Sequence, residues 1–80
     1  MLTWRQFRLW HGRDGDVALY ERVRGDGEPY RVWTYDRDQY GRETNTYVDT
    51  LTQALDMAEA AVRTLGLGDA ADRAVYGAQH

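Results

Sequence analysis

The chain contains no cysteine, no serine and no lysine. Without cysteine there is no disulfide, no thiolate metal site and no sulfur nucleophile. Without serine there is no serine-based triad, and without lysine no Schiff base and no lysine general base. Histidine occurs only as His11 and His80. So thin a catalytic inventory points away from an enzyme. Long hydrophobic runs are missing too. No stretch approaches the length of a membrane span, and the first twelve residues hold two Arg and no apolar segment of the kind a signal peptide needs. The expected location is the cytoplasm, with no membrane partner.

What is present reads as one small globular domain spanning residues 1–80, ordinary in its share of hydrophobic (42%) and charged (29%) residues. The aromatic set is three Trp and six Tyr against one Phe, so nearly every ring carries a polar atom. All ten basic residues are Arg, a fixed cation whose planar fork of donors suits carboxylates, phosphates and aromatic faces. The formal net charge is −3, which weighs against non-specific duplex DNA binding. Residues 1–45 hold eight Arg and eight Asp or Glu, while residues 46–80 hold two Arg and five acidic residues, so the second part carries the whole −3.

Turn clusters divide the first part into strands. His11 to Gly15, Gly25 to Pro29 and Arg37 to Gly41 are rich in Gly and Asp, and Pro29 is barred from a central ladder. The segments between them predict strands over about 2–10, 16–24, 30–36 and 42–48, joined as consecutive hairpins. Leu51, Ala54, Leu55, Ala58, Val62 and Leu65 form one apolar stripe at helical spacing. Thr50 with Gln53 has the capping-box pattern, Glu59 and Arg63 stand in the favourable i, i+4 order, and Gly66 supplies a stop. A helix over about 50–65 follows, with a further short helix expected over 69–76. The fold class is α+β: an antiparallel β-meander of three to four strands packed on one C-terminal α-helix.

One helix covers one face of such a sheet, and strand residues alternate between faces. Phe7, Leu9, Val17, Leu19, Val23, Val32 and Val48 supply an aliphatic inner face, with Glu21, Thr34, Thr44 and Thr46 as polar members of the same parity. The opposite parity gathers Trp4, Arg8, Trp10, Tyr20, Arg22, Arg24, Arg31, Trp33, Tyr35 and Tyr47. Arg over Trp or Tyr stabilises an open sheet through cross-strand pairs, with Arg22 on Trp33 the expected example. Trp, Tyr and Arg are also the residues that dominate interface hot spots. The ten outer residues are therefore the candidate partner-binding set, for a protein partner or for a second copy through the sheet.

Other constellations lead to no site. His11 beside Asp14 and Asp16 has the spacing of a solvated loop more than of a metal centre. Asp36 to Gly41 begins like a calcium-binding loop but places Tyr40 and Tyr47 where oxygen ligands are needed, so those residues are expected to cap a turn. The carboxylate pairs Asp14/Asp16 and Asp36/Asp38 lie at turns, where Asp serves the backbone. No phosphate loop is present. The expectation is no catalytic residue, no metal and no cofactor.

Two resemblances bear on function. The order of strands followed by one helix, and the run Val48 to Gly66, resemble the plant AP2 domain and the arm-binding domains of tyrosine integrases, which place a sheet in the DNA major groove. The chain departs from them in its net charge, its lack of Lys and the Asp and Glu interleaved with its Arg. As a short acidic chain with an interface-like sheet, it also resembles the small phage-encoded inhibitors known as anti-CRISPR proteins. That likeness is one of architecture and composition, without a motif. It implies binding to a bacterial defence complex such as a CRISPR effector, in the host cytoplasm, with Asp49, Asp56, Glu59, Asp69 and Asp72 as an acidic surface. The expectation is thus a non-enzymatic protein-binding inhibitor acting by surface blocking, with a sheet-based nucleic-acid binder as the alternative.

Overall fold

A computed structural model describes residues 2–67 of the chain. Four strands, β1 (Trp4–His11), β2 (Gly15–Arg22), β3 (Tyr30–Asp36) and β4 (Arg42–Val48), form one antiparallel sheet in sequence order. Helix α1 (Leu51–Leu65) packs behind it, chiefly on β2 and β3. The α+β meander expected from the sequence is the observed fold, and every element ends within two residues of its expected bounds. The short helix expected over 69–76 lies outside the described residues.

Local chemistry accounts for the ends of the helix. Thr50 Oγ1 accepts the Gln53 N–H at 3.1 Å, and Gln53 Oε1 accepts the Thr50 N–H at 3.2 Å, closing the capping box. Gly66 adopts φ +70°, where a side chain would be strained. Its N–H meets the Arg63 carbonyl, and the Leu67 N–H reaches back to the Val62 carbonyl at 2.9 Å. This left-handed turn folds Leu67 under the helix, where it is buried. The Leu67 side chain lies so close to Gly12 that a Cβ there would stand 2.5 Å from it. Glu59 and Arg63, expected as an i, i+4 pair, are exposed and form no ion pair among the described residues. Between β3 and β4, Asp36 Oδ1 accepts the Asp38 N–H at 3.0 Å and caps a single 3-10 turn, Arg37–Gln39, as its turn spacing suggests.

The helix meets the sheet with Ala54, Ala58 and Val62, all buried, flanked by half-buried Leu55, Ala61 and Leu65. Leu51, the first member of the expected stripe, is instead 43% exposed, because the helix begins beyond the covered part of the sheet. From the sheet come Val17, Leu19 and Val32, as expected, together with Trp10.

Trp10 belongs to the face expected to be outermost, and a β-bulge puts it in the core. Gln6 faces Tyr20 while Arg8 faces Leu19, so two steps along β1 match one along β2 and Phe7 has no partner of its own. Residues beyond the bulge change sides. Arg8 and Trp10 turn to the face of Leu19 and Val17, toward the helix, which corrects their assignment to the outer set. Leu9, expected inside, pairs with Ala18 on the outer face. Phe7 is 38% exposed, its ring set edge-on to Tyr30 at 6.4 Å. Trp10 is 3% exposed, with the Arg8 guanidinium 4.3 Å from its ring centre. Val23, also expected inside, lies past the end of β2 and is exposed.

Glu21, Thr34 and Thr44, polar members of the inner parity, sit at the margins of the helix contact. Glu21 pairs with Arg5 at 3.0 Å near the rim. Thr34 and Thr44 face each other and share a hydrogen bond between their hydroxyls. They line an open groove of about 400 Å³ with Asp36, Arg42, Ala61, Thr64 and Leu65.

Trp10→Ala is expected to destabilise the domain by about 3–5 kcal/mol, and Leu51→Ala by less than about 0.5 kcal/mol. Urea titration followed by circular dichroism measures both. A Trp10→Ala midpoint equal to wild type would rule out the bulged register.

Candidate partner-binding face

The sheet surface opposite the helix is built from alternate residues of all four strands. In register, β1 contributes Trp4 and Gln6 before the bulge and Leu9 and His11 after it. β2 contributes Asp16, Ala18, Tyr20 and Arg22, and β3 contributes Arg31, Trp33 and Tyr35. β4 adds Glu43, Asn45 and Tyr47. Of the ten candidates, Trp4, Tyr20, Arg22, Arg31, Trp33, Tyr35 and Tyr47 share this face. Arg8 and Trp10 do not, and Arg24 lies past the end of β2 in the turn to β3.

The face has two ends of different character. At one end rings and guanidinium groups interleave. Arg22 lies 4.4 Å from the Trp4 ring centre, not on Trp33 as expected. Arg31 lies 4.0 Å from the Tyr20 ring and 5.2 Å from that of Trp4. Trp4 also approaches Tyr47 at 5.7 Å. These two residues belong to the opposite edge strands, about 14 Å apart in a flat sheet. The twisted sheet and two long side chains leaning inward close that distance over β2 and β3. Each cation–π contact at such an exposed site contributes about 0.5–1 kcal/mol.

The two arginines of this end differ in one respect. Arg22 spends its donors on the chain: Nε to the Glu28 carbonyl at 3.0 Å and Nη1 to the Arg24 carbonyl at 3.3 Å. It therefore fastens the turn between β2 and β3. Arg31 makes no hydrogen bond and no ion pair among the described residues. Its Nε is buried without a partner, while its terminal nitrogens, equally unbonded, are not buried.

At the other end the charges are matched. His11 Nδ1 stands 2.5 Å from Asp16 Oδ1, and Arg37 Nη2 donates to Asp16 Oδ2 at 3.0 Å. Arg37 also donates through Nη1 to the Gly12 carbonyl at 2.8 Å and through its backbone N–H to the Asp14 carbonyl at 3.0 Å. One side chain thus ties the turn after β1 to the turn after β3 around a nearly buried carboxylate. Trp33 and Tyr35 stack between the two ends, 6.1 Å apart and 8° from parallel, with Arg37 5.4 Å from the Tyr35 ring.

The sequence placed His11 and Asp16 only in a weak metal-like cluster and did not single out Arg37. His11 and Asp16 flank a four-residue turn and face each other directly, a pairing that hairpin spacing could have revealed. Arg37 reaches them only through the pairing of β2 with β3, which no local signal encodes. Among the described residues no three His, Asp or Glu side chains converge as metal ligands would. Likewise, no helix of the described residues is long and apolar enough to cross a membrane. No protein-family model matches the chain, nor does any curated protein or solved structure at a significant level.

Asp16→Asn weakens two charge-assisted contacts and is expected to cost roughly 1.5–3 kcal/mol of stability. Because Asp16 is largely buried, the loss in a urea titration should persist at 1 M salt. A loss that salt abolishes would make the cluster a surface ion pair of little worth.

Proposed function

We propose that this chain is a non-enzymatic protein-binding module whose contact surface is the outer face of the sheet. The observation that carries the reading is the joining of Trp4, Tyr20, Arg31, Trp33 and Tyr47 on one face that α1 leaves uncovered. A surface of large, rigid side chains with polar tips loses little entropy on docking and exposes much apolar area. Trp33 is its natural anchor. It sits on a central strand, half-buried, over the fully buried Ala18, and opposite the small Asn45.

The finer reading is an inhibitor that blocks a larger bacterial defence complex by covering one of its surfaces. It is supported by the acidic balance and the absence of Cys, Ser and Lys chemistry. A sheet-based nucleic-acid reader is the competing reading. Reading of single strands needs ring faces free for bases to stack on. Here the rings of Trp4, Tyr20 and Tyr35 already carry guanidinium groups of the same chain, which disfavours that use.

Trp33→Ala should leave the thermal melt close to wild type and weaken partner binding by about 2 kcal/mol or more, roughly thirtyfold. The measurement is capture from bacterial lysate on the immobilised chain after nuclease treatment, wild type beside Trp33→Ala. A partner retained equally by both would remove the sheet face from the interface. A partner lost on nuclease treatment would favour the nucleic-acid reading.

A further inference from the structure

We infer that Arg31 is an anion-recognition site on the outer face and that it takes a side-chain carboxylate from an acidic segment of a protein partner. The inference rests on the reading of that face as protein-binding and names the chemistry the partner must bring. Arg31 is a permanent cation on an inner strand of the sheet, paired in register with Tyr20 on one side and Tyr47 on the other. Its guanidinium is held against the Tyr20 and Trp4 rings at 4.0 and 5.2 Å. It nevertheless donates no hydrogen bond, and one of its nitrogens is buried. The buried Nε is covered by the protein itself, so the donors open to a ligand are the terminal nitrogens, which make no hydrogen bond among the described residues. The contrast with its neighbour is specific. Arg22 touches the same Trp4 ring but gives its donors to backbone carbonyls. Arg37, at the far end, gives two of its donors to Asp16 and Gly12. Arg31 is the cation of this face that makes no hydrogen bond or ion pair among the described residues.

Stacking leaves the in-plane N–H groups of a guanidinium directed outward, the geometry that a carboxylate engages with two oxygens. Phosphate would satisfy the same donors, but charge separates the two sources. The chain is net negative, and Glu43 stands exposed on the same sheet face. A polyanion would meet that field over a long contact, whereas one or two carboxylates on a peptide feel Arg31 within a Debye length of about 10 Å. The ring edges of Trp4 and Tyr47 around the site suit the apolar part of a polypeptide.

The test is a titration of the full chain, labelled with nitrogen-15, followed at the arginine Nε–Hε resonances. The probes are the peptide acetyl-Gly-Glu-Tyr-Glu-Gly-amide, its counterpart with Gln in place of both Glu, and oligo-dT. The Arg31 resonance should move with the Glu peptide and not with the Gln peptide. R31Q should weaken the Glu peptide by about tenfold or more, read from the remaining resonances. R31K, which keeps the charge but not the fork, should weaken it by roughly threefold. Should R31Q fail to fold, R31K carries the test, and unchanged affinity there overturns the inference. Equal response to both peptides, or response to neither, overturns it as well. Response to oligo-dT alone would give the site to phosphate, and movement with chain concentration alone would give it to a second copy. A lysate partner lost in Trp33→Ala but kept in R31Q would leave the protein-binding reading standing and remove this one.

Discussion

Trp10 reaches the core because β1 carries one residue more than β2 between Gln6 and Arg8. Everything else in the arrangement depends on that extra residue. Without it, strict alternation would point Trp10 outward with Trp4 and send Leu9 inward. With it, the helix side of the sheet gains the largest side chain available, and α1 answers with Ala54 and Ala58. The exchange is consistent with the size of the domain. Among the larger side chains of the described residues only Leu19 and Val17 are completely buried, so an indole adds much to an apolar area that is otherwise small. The bulge also lies in an edge strand, where it blunts pairing with other chains. The other edge, β4, has no such device and is instead polar, with Glu43, Thr44, Asn45 and Thr46 in sequence.

Moving Arg8 and Trp10 inward thins the outer face and sharpens it. The remaining aromatic and Arg residues do not form a uniform platform. Arg22 is committed to the turn between β2 and β3, and Arg37 to the cluster around Asp16. These commitments are structural: they hold the two ends of the sheet in register at little cost in core volume. They also sort the charges, leaving the Asp16 end matched and the Arg31 end with a cation that no carboxylate of the described residues meets.

Most of the fold was legible in the sequence for identifiable reasons. The helix followed from a 3.6-residue stripe bounded by Thr50 and Gly66, signals that are local and mutually consistent. The strand bounds followed from Gly, Asp and Pro in the turns, and the facing of β2, β3 and β4 from simple alternation. The facing of β1 was not legible. A bulge leaves no composition signal when the residues on both sides of it are aromatic and Arg alike, as Trp4, Phe7, Arg8 and Trp10 are. Seven of ten candidate surface residues fall on the expected face; the bulge removes Arg8 and Trp10, and Arg24 lies past the end of β2. Leu51 was misread for a different reason: it continues the stripe perfectly, but the sheet stops short of it. The division of labour between Arg22 and Arg31 was beyond any reading of one sequence, since it depends on which carbonyls a turn happens to present.

The rings around Arg31 bear on how a partner could be bound by so small a domain. A free arginine on a surface loses much rotamer freedom when it is fixed by a ligand, and that loss offsets the charge-assisted bonds it makes. Between Tyr20 and Trp4 the Arg31 side chain is already confined, and its buried Nε is already stripped of water. Part of the ordering and desolvation cost of binding is therefore met on folding, offset by the cation–π contacts. The same confinement makes the free domain slightly less stable than it would be with a well-packed apolar residue there. A domain with a small core has little stability to give up. That this cost falls on an inner strand of an uncovered sheet face, while Arg22 and Arg37 find partners for theirs, is what a surface preorganised for an anionic contact would look like.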